Sequence, residues 1–133
     1  MVFVAGQVPI GGADKAGEAY KGKAGADIDM ETAQAAATQC GLNILRQIGD
    51  AVEGDWNCVK RCVKLGGFVN CTPDYTDMSL VINAASDLMV AALVALFAAL
   101  GYAFSNTSRT STSFLTEEET SAYANQIIAY GNE

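Results

Sequence analysis

The sequence contains no histidine and only eight lysine and arginine residues, against fifteen aspartate and glutamate residues. Without histidine, the commonest general base and the commonest metal ligand are missing, so acid–base chemistry would need Asp, Glu, Tyr, Cys or bound water. The net charge of −7 disfavours a nucleic-acid-binding surface, because phosphate contacts require clustered cations. The cations cluster only modestly, at 15–23 and 60–64. We therefore expect no metal, no cofactor and no nucleic-acid partner.

Cysteine is scarce as well, and its spacing excludes a standard zinc site. The four cysteines are Cys40, Cys58, Cys62 and Cys71. They include no CxxC pair, and no histidine can complete a ligand set. Cys58 and Cys62 would lie ~13 Å apart on a strand, too far to bridge within it. The first residues also lack the basic start of a signal peptide. We predict free thiols in a reducing, cytoplasmic compartment.

The chain does contain enough apolar residues for a core, since they make up half of its 133 positions. This length predicts one domain, residues 1–133. The hydrophobic pattern predicts a strand at 2–5, a loop over 11–27 and a helix at 29–52 capped by Asp29. A second strand is predicted from Cys58 to Val69, with Gly66 and Gly67 as a bulge or close approach.

A long second helix is expected from about Leu80, and its later half carries no charge. Residues 88–104 form an uncharged run of 17 residues. Spanning a bilayer normally takes ~20 residues, so this run favours a helix buried in a domain or subunit interface. A Thr/Ser-rich stretch follows, and a capping box at Thr116–Glu119 predicts an extra helix in the C-terminal tail.

Three segments resemble one protein family. They are "VFVAGQVP" at 2–9, "AYKGKAGADIDMETAQAAATQCGLNILRQI" at 19–48 and "VKRCVKLGGFVNCTPDYTDMSLVINAASDLMV" at 59–90. These are similar to the YjgF/RidA family, also labelled endoribonuclease L-PSP-like. The resemblance implies an α+β, chorismate-mutase-like fold with a mixed β-sheet and two helices packed on one face. It also implies a homotrimer whose ligands bind in clefts between subunits.

The resemblance divides the chain into a family-like core, residues 2–90, and a divergent tail, residues 91–133. The first strand of the family is expected to be missing, because the chain begins at "VFVAGQVP". The ligand-binding candidates that the resemblance implies are Gly6, Gly66, Gly67, Asn70 and Cys71. The catalytic candidates are Arg109, which would hold a substrate carboxylate, and Glu119, which would orient a water.

Each of these candidates also has an ordinary structural interpretation. Gly66 and Gly67 can shape a chain corner, Cys71 can be a buried structural thiol, and Arg109 and Glu119 can be solvated surface charges. The sequence and the resemblance leave three alternative functions. The first is hydrolytic deamination of reactive 2-imino acids to 2-keto acids and ammonia. The second is a non-catalytic trimer that binds a small carboxylate-bearing metabolite or acts as a scaffold. The third, which the resemblance of 59–90 disfavours, is a membrane-associated protein.

Overall fold

Two long helices dominate the part of the protein that the structure describes. A computed structural model describes residues 1–11 and 17–99. In chain order the elements are a 3-10 turn at Glu18–Tyr20, α1 at Met30–Ala51, a 3-10 turn at Trp56–Cys58 and α2 at Met78–Ala99.

The α1 helix confirms the predicted first helix, including its N-cap. The Asp29 side chain accepts a hydrogen bond of 2.8 Å from the Thr32 backbone N–H. Glu31 places a negative charge in the first turn, where the helix dipole favours it. The buried residues recur every fourth position, at Ala33, Ala37, Gly41 and Leu45. This single row of mostly small side chains is the face that α1 presents to α2.

The α2 helix confirms the predicted long helix and starts two residues earlier than expected, at Met78. The Asp77 carbonyl accepts from the N–H groups of Leu80 and Val81, which fixes the first turn. Its buried residues are Val81, Ala85, Leu88, Met89, Ala91 and Ala92. Small residues again alternate with large ones, so α1 and α2 can approach closely.

The two helices run parallel to each other. Gln34 near the start of α1 donates through Nε2 to the carbonyl of Leu80 near the start of α2, at 3.1 Å. Leu45, late in α1, shares a hydrophobic cluster with Ala92, late in α2. Between these points, a side chain added at Gly41 would lie 2.8 Å from Leu88 Cδ2. The order of contacts is the same along both helices, which establishes their common direction.

Parallel helices require a connection that returns along their whole length. A helix of 22 residues is ~33 Å long at 1.5 Å per residue. Residues 59–70 lie in that connection, and extended backbone of this length covers ~40 Å. We call residues 59–70 the return segment. Its path between the two ends of the helix pair is therefore a consequence of how the helices are arranged.

The predicted α+β fold is wrong for the described part of the chain. Residues 1–11 and 17–99 contain helices and turns but no β-strand, and the ladder-type pairing there is limited to isolated bridges. The strands expected at 2–5 and 58–69 lack backbone partners, and a strand exists only when a neighbour supplies its hydrogen bonds. There is consequently no mixed sheet for two helices to cover.

A tight loop before α1 takes part in both isolated bridges found among the described residues. Gly25 has φ +88°, and a side chain there would lie 2.8 Å from Tyr75 Cδ2, so glycine suits both its backbone and its surroundings. The adjacent Ala24 is fully buried. A parallel bridge joins Ala24 to Cys71, just beyond the return segment.

The α2 helix contains a long, strongly apolar stretch. The stretch Met78–Phe97 is long and apolar enough to cross a membrane by length and composition, and 33% of that stretch is buried inside the protein. Core helices of water-soluble proteins meet the same criterion. The rest of the uncharged run and the helix predicted from Thr116 lie outside the described residues.

Candidate interaction site

The return segment is anchored at its two ends. At its start, the Val59 N–H donates to the Trp56 carbonyl at 3.0 Å. At its end, the Ala24 N–H donates to the Asn70 carbonyl at 2.9 Å, and the Thr72 N–H donates to the Ala24 carbonyl at 3.1 Å. These bonds hold the segment in place without using the backbone between them.

One face of the return segment packs on the helix pair. Leu65 contacts both hydrophobic clusters between α1 and α2, and Val69 contacts the cluster nearest the helix starts. Gly67 lies directly on the Ile82 side chain, where a larger residue would clash. These three positions lie against the helix pair, whereas the odd-numbered Arg61 and Val63 are exposed. Cys71 continues the same face.

The opposite face of the return segment is exposed to solvent. Lys60, Cys62, Lys64 and Phe68 are all exposed, and Phe68 has a relative exposure of 103%. A fully exposed phenylalanine leaves apolar area in water that burial would stabilise by about 25 cal/mol per Å². Val63, on the other parity, is also 70% exposed.

The backbone of the return segment is free along most of its length. Among the described residues, none from Lys60 to Val69 makes a hydrogen bond through its N–H or carbonyl group. Such a row of unpaired donors and acceptors resembles the edge of a sheet and can template pairing with another chain. This is the chemical property that distinguishes the segment.

The charge of the return segment differs from that of the rest of the chain. Lys60, Arg61 and Lys64 are three of the eight cations of the protein, and no acidic residue lies between Asp55 and Asp74. The chain as a whole carries −7. An approaching polypeptide therefore meets a local positive charge on a protein that is otherwise negative.

A hydrogen-bonded carboxylate lies just before the segment. Asp55 accepts from Asn57 Nδ2 at 2.9 Å and from the Asn57 N–H at 3.2 Å, and these bonds lower the pKa of Asp55. The Cys58 thiol donates to Asp55 Oδ2 at 3.5 Å. This bond, followed by the negative charge of Asp55, raises the pKa of Cys58. A raised pKa leaves less of the reactive thiolate, so Cys58 is a poorer nucleophile than its exposure alone would suggest.

Some of the residues predicted to bind a ligand make structural contacts within the chain. Asn70 donates through Nδ2 to the Gly22 carbonyl at 2.9 Å, and Cys71 packs against the core cluster. The Ile82 side chain fills the space beside Gly67, whereas a side chain at Gly66 would meet nothing within 4 Å. Gly6 lies in the N-terminal segment, where a side chain would also have open space.

The two catalytic candidates, Arg109 and Glu119, lie outside the described residues. Within residues 1–11 and 17–99, no group of three or more His, Cys, Asp or Glu side chains could hold a metal ion.

Sequence reasoning missed the polar residues that tie the N-terminal segment to α1. Asn43 donates through Nδ2 to the carbonyls of both Val8 and Ile10, each at 3.0 Å. Gln39 in turn donates through Nε2 to Asn43 Oδ1 at 3.1 Å. The available signal was two amide side chains four residues apart, beside the apolar row of α1.

Comparison with known proteins gives one relative and overturns the family resemblance. The chain is 41% identical over 89 residues to "Protein TCP17" of Trypanosoma cruzi, an overlap of 67% of this chain and 53% of that protein. The chain thus spans about half the length of this relative. No family model matches the chain, and no solved structure matches it. Because no family model matches and residues 1–11 and 17–99 contain no sheet, the assignment to the YjgF/RidA family and to its chorismate-mutase-like fold is wrong.

Proposed function

We propose that this protein is a non-catalytic scaffold subunit that takes up an extended polypeptide strand along its return segment. The observation that carries the proposal is the run from Lys60 to Val69, where no described residue satisfies the backbone. Strand addition to a free backbone edge is a common way in which proteins bind peptides, because main-chain hydrogen bonds supply affinity without requiring a catalytic site.

The return segment is already held in place before any strand binds. Leu65 and Val69 are packed on the helix pair, and Ala24 holds the end of the segment by two hydrogen bonds. Ordering a free chain costs roughly 1–2 kcal/mol per residue. Because this side of the interaction is ordered before binding, that cost falls only on the incoming strand.

The exposed face also defines the composition of a suitable strand. Lys60 and Lys64 are both exposed and are four residues apart, so acidic side chains at matching positions would pair with them across the ladder. Phe68 on the same face would pack against an aromatic or β-branched residue. A strand with acidic residues opposite Lys60 and Lys64 and an apolar residue opposite Phe68, all on one face, fits both requirements.

A synthetic peptide with this arrangement, two glutamates four residues apart and a valine four residues from one of them on the same face, tests this function. We expect it to bind the full chain and to slow amide hydrogen exchange at residues 60–69, because new ladder bonds protect those N–H groups. The matched control is the same peptide with methyl groups on alternate backbone nitrogens, which removes the donors of one edge and keeps every side chain.

Protection by the first peptide but not by the methylated one would support strand uptake. Equal effects of both peptides would show that charge alone drives the contact, and would overturn the proposal. Exchange at residues 60–69 that stays fast with every peptide, and at every protein concentration, would overturn it as well.

The deaminase function has no comparable support. It was inferred from the family resemblance, which no family model supports, and its catalytic candidates lie outside the described residues.

A further inference from the structure

We infer that residues 114–119 of this same chain cover the cationic part of the return segment and thereby regulate its uptake of a strand. This regulation rests on the proposed function and concerns the same surface. We call residues 114–119 the acidic segment; they lie outside the described residues. While the acidic segment is in place, an incoming strand has to displace it before it can bind.

The cations of the return segment have no ion-pair partner in the part of the chain that the structure describes. Residues 60–64 contain three exposed cations, whereas the ion pair found among the described residues joins Lys21 to Glu18. Asp55, just before the segment, already accepts hydrogen bonds from Asn57. Three clustered positive charges on a chain of net charge −7 attract the carboxylates that can reach them.

The acidic segment has the composition that this surface requires. Residues 117–119 are three consecutive glutamates, and no other two acidic residues of the chain are adjacent in sequence. Phe114 and Leu115 come shortly before them. The segment therefore offers carboxylates to the cations and apolar side chains to Phe68, whose side chain is fully exposed in the structure.

The chain leaves α2 at the end of the helix pair where the cations lie. The return segment begins beside Trp56, which packs on the hydrophobic cluster formed late in both helices. Val69 contacts the cluster nearest the helix starts, and Leu65 contacts both clusters. Residues 60–64 are therefore on the side of the helix ends. Because the helices are parallel, α2 also ends on that side, at Ala99.

The residues that follow α2 are numerous enough to reach the cations within one chain. Glu117 is 18 positions beyond Ala99, and an extended chain of that length covers up to ~60 Å, against ~33 Å for either helix. Exposed ion pairs are individually weak. A contact within one chain nevertheless benefits from an effective concentration on the order of millimolar. Because it needs side chains rather than ladder bonds, it is compatible with the helix that the capping box predicts from Thr116.

Carbodiimide cross-linking of the full chain tests the contact, because the reagent joins a carboxylate to a lysine amine that touches it. We expect mass spectrometry to find links from Lys60 or Lys64 to residues 117–119. Lys21 and Lys23, which are also exposed, are the internal control and should give few such links. Mixing unlabelled chains with chains labelled with nitrogen-15 separates links within one chain from links between copies.

Peptide affinity tests the regulation. The first variant carries Glu117→Gln, Glu118→Gln and Glu119→Gln. We expect it to bind the peptide of two glutamates and a valine severalfold more tightly than the wild type does, because the acidic segment no longer competes. The control variant carries Glu31→Gln, Asp50→Asn and Asp87→Asn, which neutralise three exposed acids elsewhere and change the net charge equally. Its affinity should change much less. Circular dichroism checks that both variants keep their helices.

Links to Lys60 or Lys64 within one chain, with a gain of affinity confined to the first variant, would support the inference. Links found only between copies, or spread equally over the four lysines, would overturn it. Equal affinity of the peptide for the wild type and both variants, or equal gains in both variants, would also overturn it and leave strand uptake standing. If no peptide protected amides 60–69 in any of the three chains, the inference would fall together with the proposed function.

Discussion

At the scale of single residues, the structure indicates that Cys58 is exposed but poorly reactive. Its hydrogen bond to Asp55 and the nearby carboxylate charge raise the pKa of Cys58. In a chain with Cys58 as the single cysteine, we expect Asp55→Ala to increase the rate of alkylation at pH 8 severalfold, since the thiolate is the reacting form. The rate is measured with iodoacetamide.

The control for this prediction is the same substitution in a chain that keeps only Cys62. Cys62 is equally exposed but makes no hydrogen bond to Asp55 in the described part of the chain. Its alkylation rate should not change with Asp55→Ala. A parallel increase at Cys62 would show that the substitution loosens the return segment as a whole, and the local explanation would be wrong.

A second residue-scale prediction concerns the cap of α1. Hydrogen bonds from the Thr32 side chain and backbone lower the pKa of Asp29 below its ordinary 3.8. The ionised cap therefore stabilises the fold above pH 3.8, and this stability is lost as the pH falls through the lowered folded-state value. We expect Asp29→Asn to retain most of the melting temperature at pH 7 and to reduce its fall between pH 5 and pH 2.

Thermal melts of Asp29→Asn and Asp29→Ala across that pH range measure the effect. Asp29→Ala should melt lower than the wild type at pH 7, because it leaves the first-turn N–H groups without an acceptor. If Asp29→Asn kept the full acid dependence of the wild type, the carboxylate at residue 29 would not be its source.

At the scale of elements, the contact between α1 and α2 depends on small residues in register. Gly41 faces Leu88 and Ala85, and a side chain added there would lie 2.8 Å from Leu88 Cδ2. We expect Gly41→Leu to force the helices apart and to lower the free energy of unfolding by about 1–3 kcal/mol. Leu88→Ala, at a residue 3% exposed, should cost about 2–5 kcal/mol through the cavity that it leaves.

Urea unfolding followed by helical circular dichroism gives both values. Gly66→Leu is the matched control for Gly41→Leu, because the same side chain there enters open space. If the two glycine variants were equally destabilised, the loss would come from a general effect of the larger residue and the close approach at Gly41 would be disproved.

The elements that sequence predicted well are those whose pattern is local. The four-residue spacing of Ala33, Ala37, Gly41 and Leu45 and the cap at Asp29 are contained within α1, so both could be predicted. The hydrophobic pattern of neither helix specifies the direction of α2 relative to α1. It follows from contacts between residues about 46 positions apart, such as Gln34 and Leu80.

The return segment shows why the sheet was predicted wrongly. Alternating side chains from Cys58 to Val69 specify which face is apolar, and that face does pack, through Leu65 and Val69. The pattern does not specify whether a backbone partner exists, because each partner must come from another segment. Of the candidate site, the sequence located Gly66 through Cys71 as a special stretch but not the structural roles of Asn70 and Cys71.

At the scale of the whole molecule, the surroundings of α2 are the main question, and charge placed on its two faces can answer it. Ala92 is fully buried against α1, whereas Val90 is 49% exposed. If α2 packs on α1 in water, Val90→Lys should leave the melting temperature nearly unchanged. Ala92→Lys would bury an unpaired charge and should cost about 3–5 kcal/mol or prevent folding.

A helix that spans a lipid bilayer would respond differently to the same two substitutions. A lysine on either face would then oppose insertion, since charge near the bilayer centre costs about 2.5–3.5 kcal/mol. Sedimentation of each variant with liposomes, together with its melt in detergent-free buffer, separates the two cases. Equal loss of liposome binding by Val90→Lys and Ala92→Lys would place α2 in lipid. A stable, unbound Val90→Lys beside an unfolded Ala92→Lys would place it on α1, where Gly41 and Leu45 pack against it.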